Sequence, residues 1–362
     1  MDQHTKWDTS YEWKAVTLLG IGFGLVGLDR WIIAPLFPFI AADLGLAEGE
    51  IGRLTGYLGV LWGIFAIFSG RLSDKIGHRK VLIPAIVLFS LLSGLSGMVQ
   101  GLVALILIRS LMGAMEGTYC PTSFTAVAAA SRPKRRGFNQ GLQQSGFALL
   151  GLALGPIIAT QLLNVVPSWR WVFWIVGIPG FIVGLLLLFV LREPKDTQAG
   201  KLIGATEPGG SWLEVLKAPN IVECMLALLC AMAGVFVLGA MVPVYLVNAL
   251  QLSPAQMGVV TSAIGFGGFF GQFGWPGLSD VFGRKPLAIL GFVAATATVW
   301  WFARTGPSVP ALFVPLFFCA FFCLGNVALI TGPIATESAP RWLSVLWWLS
   351  PASRSGSWFA LS

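Results

Sequence analysis

Four ionisable residues fall inside long apolar runs, where a charge is expensive and marks function by default. Asp29 and Arg30 lie roughly fifteen residues into the first run, and Arg109 and Glu116 stand seven residues apart in a later one. Fifteen residues carry a helix about 22 Å, past the middle of a bilayer. Neighbours on a helix diverge by about 100°, so Asp29 and Arg30 cannot aim at one point. One can face a central cavity while the other reaches sideways to a partner. A seven-residue spacing returns Arg109 and Glu116 to one face, about 10 Å apart along the axis. Gly113 and Gly117 keep that face lean, so that another helix or a ligand can approach closely. A fixed cation beside titratable carboxyls suits a carrier that binds an anion and moves it with protons. The bland alternative is mutual neutralisation, in which buried pairs only lock helices together. Four such charges in one half of the chain and none in the other half favour a site.

Weaker candidates surround these. Tyr57, Asn139, Gln143, Gln144, Gln161 and Asn326 are polar groups within or at the ends of apolar runs. Of these, Tyr57, Gln143, Gln144 and Asn326 join Arg30 as candidate substrate contacts, although each could equally satisfy a neighbouring backbone. Cys120, Cys224, Cys230, Cys319 and Cys323 all sit in apolar stretches without CxxC or His-rich spacing, which argues against a metal site or a disulfide framework. His4 and His78 lie in the tail and in a short link, and there is no Gly-rich loop ending in Lys-Ser or Lys-Thr. An enzyme or an ATP-driven pump is therefore not expected. No cofactor is expected either; a proton gradient is the implied energy source.

The elements that must position these charges are transmembrane helices. With 56% hydrophobic and only 11% charged residues, the chain cannot be a soluble globular domain. The net charge of +7 does not imply nucleic acid, because the basic residues are strung along loops between apolar runs. Ten runs can span a membrane, at about 15–38, 52–72, 81–100, 102–129, 138–163, 170–191, 221–248, 255–277, 286–303 and 309–331. The first is too long for a signal peptide and is expected to stay as a helix. Lys and Arg concentrate in alternate loops, which puts the N-terminus on the cytoplasmic side. The organisation expected is a tail over 1–13, a six-helix bundle over 14–191, a linker over 192–219, a second bundle over 220–335 and an atypical tail over 336–362.

Two of the basic links match each other. Gly70-Arg71-Leu72-Ser73-Asp74-Lys75-Ile76-Gly77-His78-Arg79-Lys80 returns about two hundred residues later as Gly277-Leu278-Ser279-Asp280-Val281-Phe282-Gly283-Arg284-Lys285. Gly77 and Gly283 suit a sharp turn, and an Asp at a helix end can pair with Arg or Lys or sit against the positive N-terminus of a neighbouring helix. The repeat also implies that the partner of the sixth span would end well past Ser362. Two spans, the eleventh and twelfth, are then expected to be missing, and Trp342–Ser362 has no run near the ~20 apolar residues a span needs.

At this link the chain resembles the major facilitator superfamily of secondary transporters, whose signature between helices 2 and 3 has this form and recurs weakly between helices 8 and 9. The resemblance implies an all-α integral membrane fold of two pseudo-symmetric bundles, here six helices plus four. Asp29-Arg30, and Arg109 and Glu116 within Arg-Ser-Leu-Met-Gly-Ala-Met-Glu-Gly, resemble the anion:cation symporter family. So do Ser168-Trp169-Arg170-Trp171-Val172-Phe173 and Gly177-Ile178-Pro179-Gly180. By that resemblance Arg30 contacts a substrate carboxylate, Asp29 and Glu116 carry protons, and Arg109 couples them. Gly70, Asp74, Gly77, Arg79, Lys80, Asp280, Gly283, Arg284 and Lys285 form the conformational links. The implied function is proton-coupled symport of a small organic anion, such as a sugar acid, by a monomer in a bacterial-type plasma membrane, with protons and lipid as the other partners. Gly151-Leu152-Ala153-Leu154-Gly155-Pro156 departs from this pattern, resembling an element of drug-expelling antiporters whose physics is a close-packed, kinked helix. A proton-driven exporter therefore remains an alternative. So does a non-transporting product or a membrane sensor.

Overall fold

The computed structural model describes residues 7–47, 49–193, 197 and 221–334. Most of the expected linker, residues 1–6 and the tail over 336–362 lie outside the described residues. The amino-terminal half contains α1 (Thr9–Trp31), α2 (Ile33–Leu44), α3 (Glu50–Ile76), α4 (His78–Ser96) and α5 (Leu102–Ala130). It continues with α6 (Arg136–Gly146), a π-helical segment at Phe147–Ala153, α7 (Gly155–Val165) and α8 (Trp169–Val190). The carboxy-terminal half contains α9 (Ile221–Asn248), α10 (Pro254–Phe282), α11 (Arg284–Ala303) and α12 (Val309–Leu329), which runs into a π turn at Ile330–Ile334. Each of the ten apolar runs coincides with one of these helices or with a broken pair. Among the described residues, seven helices are long and apolar enough to cross a membrane, or eight if the bent segment Pro133–Val165 is one span.

The first span departs from its expected form at both ends. It begins at Thr9 rather than near residue 14, because Asp8 caps it: the Tyr11 amide donates to Asp8 Oδ1 at 3.0 Å. That amide, followed by Arg192, holds the Asp8 carboxyl below its usual range. The span also breaks at Ile32, just beyond the charged pair. Pro35 has no amide hydrogen to give the Trp31 carbonyl, so the α-helical ladder is interrupted there. Asp29 and Arg30 consequently occupy the last turn of α1 rather than the middle of an unbroken helix.

Helices approach one another closely where glycine allows it. A methyl group added to Gly113 or Gly117 would fall 2.2 Å from the Leu58 or Trp62 carbonyl oxygen, so the lean face read from the sequence receives α3. Between the two halves, a methyl group on Gly141 of α6 would fall 2.0 Å from the Gln272 carbonyl oxygen of α10. Gly141→Ala is therefore expected to lower the melting temperature of the detergent-solubilised protein, with overpacking costing about 1–3 kcal/mol. Among the described residues, two large apolar cores and two small ones result. One large core is built on α1, α2, α4, α5 and α8 around Phe89, Tyr119 and Phe173. The other large core is built on α9, α10 and α12, and Leu152 from the amino-terminal half packs against it.

Candidate functional site

Asp29 and Arg30, side by side in the last turn of α1, turn toward different neighbours. The Arg30 guanidinium crosses to α5, where its Nη2 donates to Glu116 Oε2 at 2.9 Å. Its carbon lies 5.3 Å from the centre of the Trp62 ring on α3 and 5.9 Å from that of Phe147 in the π-helical segment. Arg30 keeps 24% of its side chain exposed, whereas Glu116 is fully buried. Asp29 turns away toward α4 and accepts a 2.5 Å hydrogen bond from Ser93 Oγ. The divergence expected of helix neighbours is thus realised, with Arg30 as the more accessible group.

Arg109 is almost wholly buried and does not meet Glu116. It donates from Nη1 to the Asp29 main-chain carbonyl at 2.8 Å and lies over the Phe173 ring at 5.0 Å. A cation is a natural donor to the carbonyls exposed at a helix C-terminus, and here the break in the span supplies one. Its Nε and Nη2 have no hydrogen-bond partner, and neither do Arg30 Nε and Glu116 Oε1. The four charges form one buried group with equal numbers of each sign. Among the described residues, Arg30–Glu116 is its only salt bridge within 4.0 Å.

The other candidate contacts are not brought together here. Gln143 is buried and donates to Ser123 Oγ at 2.9 Å. Gln144 joins the two halves, accepting from Thr331 Oγ1 at 2.8 Å and donating to the Ala328 carbonyl at 3.3 Å. Asn326 braces the carboxy-terminal half, accepting from Trp275 Nε1 at 3.0 Å and donating to the Ala288 carbonyl. Tyr57, on α3, is 54% exposed.

The two links take up the geometry their residues suggest, with one difference between them. Gly77 has φ +100° and Gly283 has φ +91°, conformations that side-chain-bearing residues rarely adopt. Asp280 accepts from the Gly137 and Phe138 amides at 3.2 and 3.0 Å, capping the N-terminus of α6, and pairs with Arg284 at 2.6 Å. Its counterpart Asp74 is exposed, as are Lys80 and Lys285. In the first link the capping is done instead by Glu193, which accepts from the His78 and Arg79 amides at 3.0 and 3.2 Å. The Arg79 side chain donates to the Leu188 carbonyl. Among the described residues, no other group lies within 4 Å of where a Gly70 side chain would begin.

Several contributors were not picked out from the sequence. Buried Glu12 gathers Arg135 at 2.7 Å, the Arg132 amide, Trp7 Nε1 and Asn139 Nδ2, tying the start of α1 to the link before α6. At the opposite end Asp43 holds Arg170 at 2.8 Å and accepts from Trp169 Nε1, so the Ser168–Phe173 segment serves as a brace there. The Gly151–Pro156 element adopts the kink expected of it, bending by 48° between Ala153 and Gly155.

Residues 19–346 match the family model described as Major Facilitator Superfamily. Among curated proteins, the chain is 28% identical to a probable 4-methylmuconolactone transporter of Cupriavidus pinatubonensis over 81% of this chain and 74% of that one. It is 30% identical to the hexuronate transporter of Bacillus subtilis over 71% of this chain and 62% of the relative, so it spans less than two thirds of that protein. It is 27% identical to the sialic acid transporter NanX of Escherichia coli over 78% of this chain and 68% of the relative. The fold is similar to the crystal structure of the human organic anion transporter MFSD10 (TETRAN), with TM-score 0.68, 18% identity and coverage of 92% of this chain and 88% of that one. A match over nearly the whole described chain, with repeated glycine links and paired helical halves, makes this multi-pass membrane protein a member of the Major Facilitator Superfamily, a family of transporters and not of enzymes.

Proposed function

We propose that the chain carries a small organic anion together with protons across a bacterial-type plasma membrane, by alternating access between its two halves. The observation that carries this reading is the position of Arg30. It is a cation in the last turn of a broken transmembrane helix, ion-paired to buried Glu116 and still one quarter exposed. An incoming carboxylate would compete with Glu116 for the guanidinium, and Glu116 would take up a proton as its partner is lost. Binding of anion and proton are then linked through one side chain. Asp29, held by Ser93 and joined to Arg109 through its own carbonyl, is the second proton-carrying group in this reading, with Arg109 coupling the two. The names of the 4-methylmuconolactone, hexuronate and sialic acid relatives agree with an acidic metabolite as substrate.

In the proposed orientation the N-terminus and both links are cytoplasmic. The bundles run over 14–191 and 220–335 on either side of the linker, and the working unit is a monomer. Asp280 on the N-terminus of α6 and Gln144 on Thr331 would both have to part when the cytoplasmic side opens. The test is uptake of labelled organic acids into proteoliposomes, with and without an inward proton gradient. Accumulation driven by the gradient is expected, and Glu116→Gln is expected to leave counterflow exchange while removing the gradient's effect. Uptake indifferent to the gradient would overturn proton coupling. The bent Gly151–Pro156 element supports a second reading, export of lipophilic compounds, which predicts efflux of cationic drugs that does not depend on Arg30.

A further inference from the structure

We infer that the anion is a flat, unsaturated or aromatic carboxylate bearing a further acceptor oxygen, and that Trp62 and Phe147 select it. This rests on the reading of Arg30 as the carboxylate contact. Two observations carry it. The first is what surrounds Arg30. The rings of Trp62 and Phe147 come from different elements and lie within 6 Å of the guanidinium carbon, which is the range of cation–π attraction. A carboxylate that pairs with a guanidinium lies in the guanidinium plane. The body of the ligand beyond that carboxylate is therefore carried past the two rings. A conjugated acid keeps its whole skeleton in that plane and can stack on aromatic faces, whereas a puckered or branched chain cannot.

The second observation is the balance of unpartnered buried atoms on and beside the same helix turn. Arg30 Nε is a donor without a partner. Trp62 Nε1 has the weakly accepting Cys120 sulfur beside it and no hydrogen bond of normal geometry. Against these two donors stands one unpartnered acceptor beside them, Glu116 Oε1. A ligand that satisfies this set brings acceptors, such as a carbonyl, a lactone or a second carboxylate. A polyhydroxylated acid brings about as many donors as acceptors. Of the carboxamides read as candidate contacts, Gln144 and Asn326 already have their acceptor oxygens taken by Thr331 and Trp275, while Gln143 keeps its Oε1 without a partner.

Paired probes of matched carbon number test this in the full chain reconstituted in proteoliposomes. Muconate is compared with adipate, and benzoate with cyclohexanecarboxylate, each as a competitor of labelled muconate uptake, with glucuronate uptake measured directly. The planar member of each pair is expected to compete at least about fivefold better, from stacking on two rings. Trp62→Leu and, separately, Phe147→Leu are expected to erase most of that preference, with Trp62→Phe recovering it in part. A variant that weakens both members of a pair equally would show that the ring only supports the fold, and would overturn the selection. Equal competition in the unaltered protein would do the same. If glucuronate is carried in an Arg30-dependent way and muconate is not, the anion reading stands and this inference falls. If the folded protein carries neither, both fall.

Discussion

Arg30→Ala is expected to reduce uptake of organic acids by at least about thirtyfold. Truncating one partner of a buried, hydrogen-bonded charge pair costs about 2–5 kcal/mol, and each 1.4 kcal/mol is tenfold. The loss has two sources, and they can be separated. The substrate carboxylate loses its cation, and Glu116 is left fully buried with neither oxygen partnered by a cation. The Arg30→Ala/Glu116→Gln double variant relieves the second penalty only. It is expected to melt near the unaltered protein and still fail to carry an anion. Arg30→Lys keeps the charge but loses the planar fork and the stacking on Trp62 and Phe147, so it is expected to restore only a minor part of the rate. Full uptake by Arg30→Ala would remove this side chain from the site altogether. The measurement is initial-rate uptake normalised to folded protein.

Arg109→Met is expected to have the largest effect on stability, about 3–5 kcal/mol, because it leaves a buried group of charges with an excess negative charge. Arg109 is 1% exposed, and its guanidinium reaches the end of α1 at the Asp29 carbonyl and lies over the Phe173 ring. Methionine replaces the stem but not the donor. Adding Asp29→Asn restores neutrality, and the double variant is expected to recover more than half of the lost stability in a thermal melt. Equal melting of the single and double variants would mean that the charge balance is immaterial and that only the contact to the carbonyl counts. The design also separates stability from coupling, since the double variant has lost one of the two proposed proton-carrying groups.

Much of this arrangement was legible because charges are rare in apolar runs. Asp29, Arg30, Arg109 and Glu116 stand out against a chain with 26 Phe and 15 Trp, and the turn between neighbours on a helix foretold that the first two diverge. Gly113 and Gly117 were readable as a lean face, though the sequence could not say that α3 would fill it. The repeated links were readable too, and Gly77 and Gly283 adopt the backbone that made glycine necessary. Ser93, Trp62 and Phe147 were invisible for the opposite reason: each is one of many alike, and only the packing of α3, α4 and the π-helical segment around α1 singles them out. Polar residues read less plainly. Gln143, Gln144 and Asn326 look like ligand contacts in an apolar run, and each also bonds a hydroxyl or carbonyl of the bundle itself, the other use the sequence allowed for them. Glu12 was passed over because it looked like part of a solvated tail, when Asp8 had already started the helix.

The contact between the two halves has a mechanical consequence. At one point the Gln272 carbonyl lies against Gly141, and further along Gly265 lies against the main chain of Ala153. At these two points no side chain stands between the main chains, so they can roll on each other like a bearing, whereas Phe138 against Phe273 and Leu152 in the second core interlock elsewhere along the contact. Such a bearing tolerates no added bulk, so the protein can evolve new cargo by changing the lining of its cavity while its pivot stays fixed.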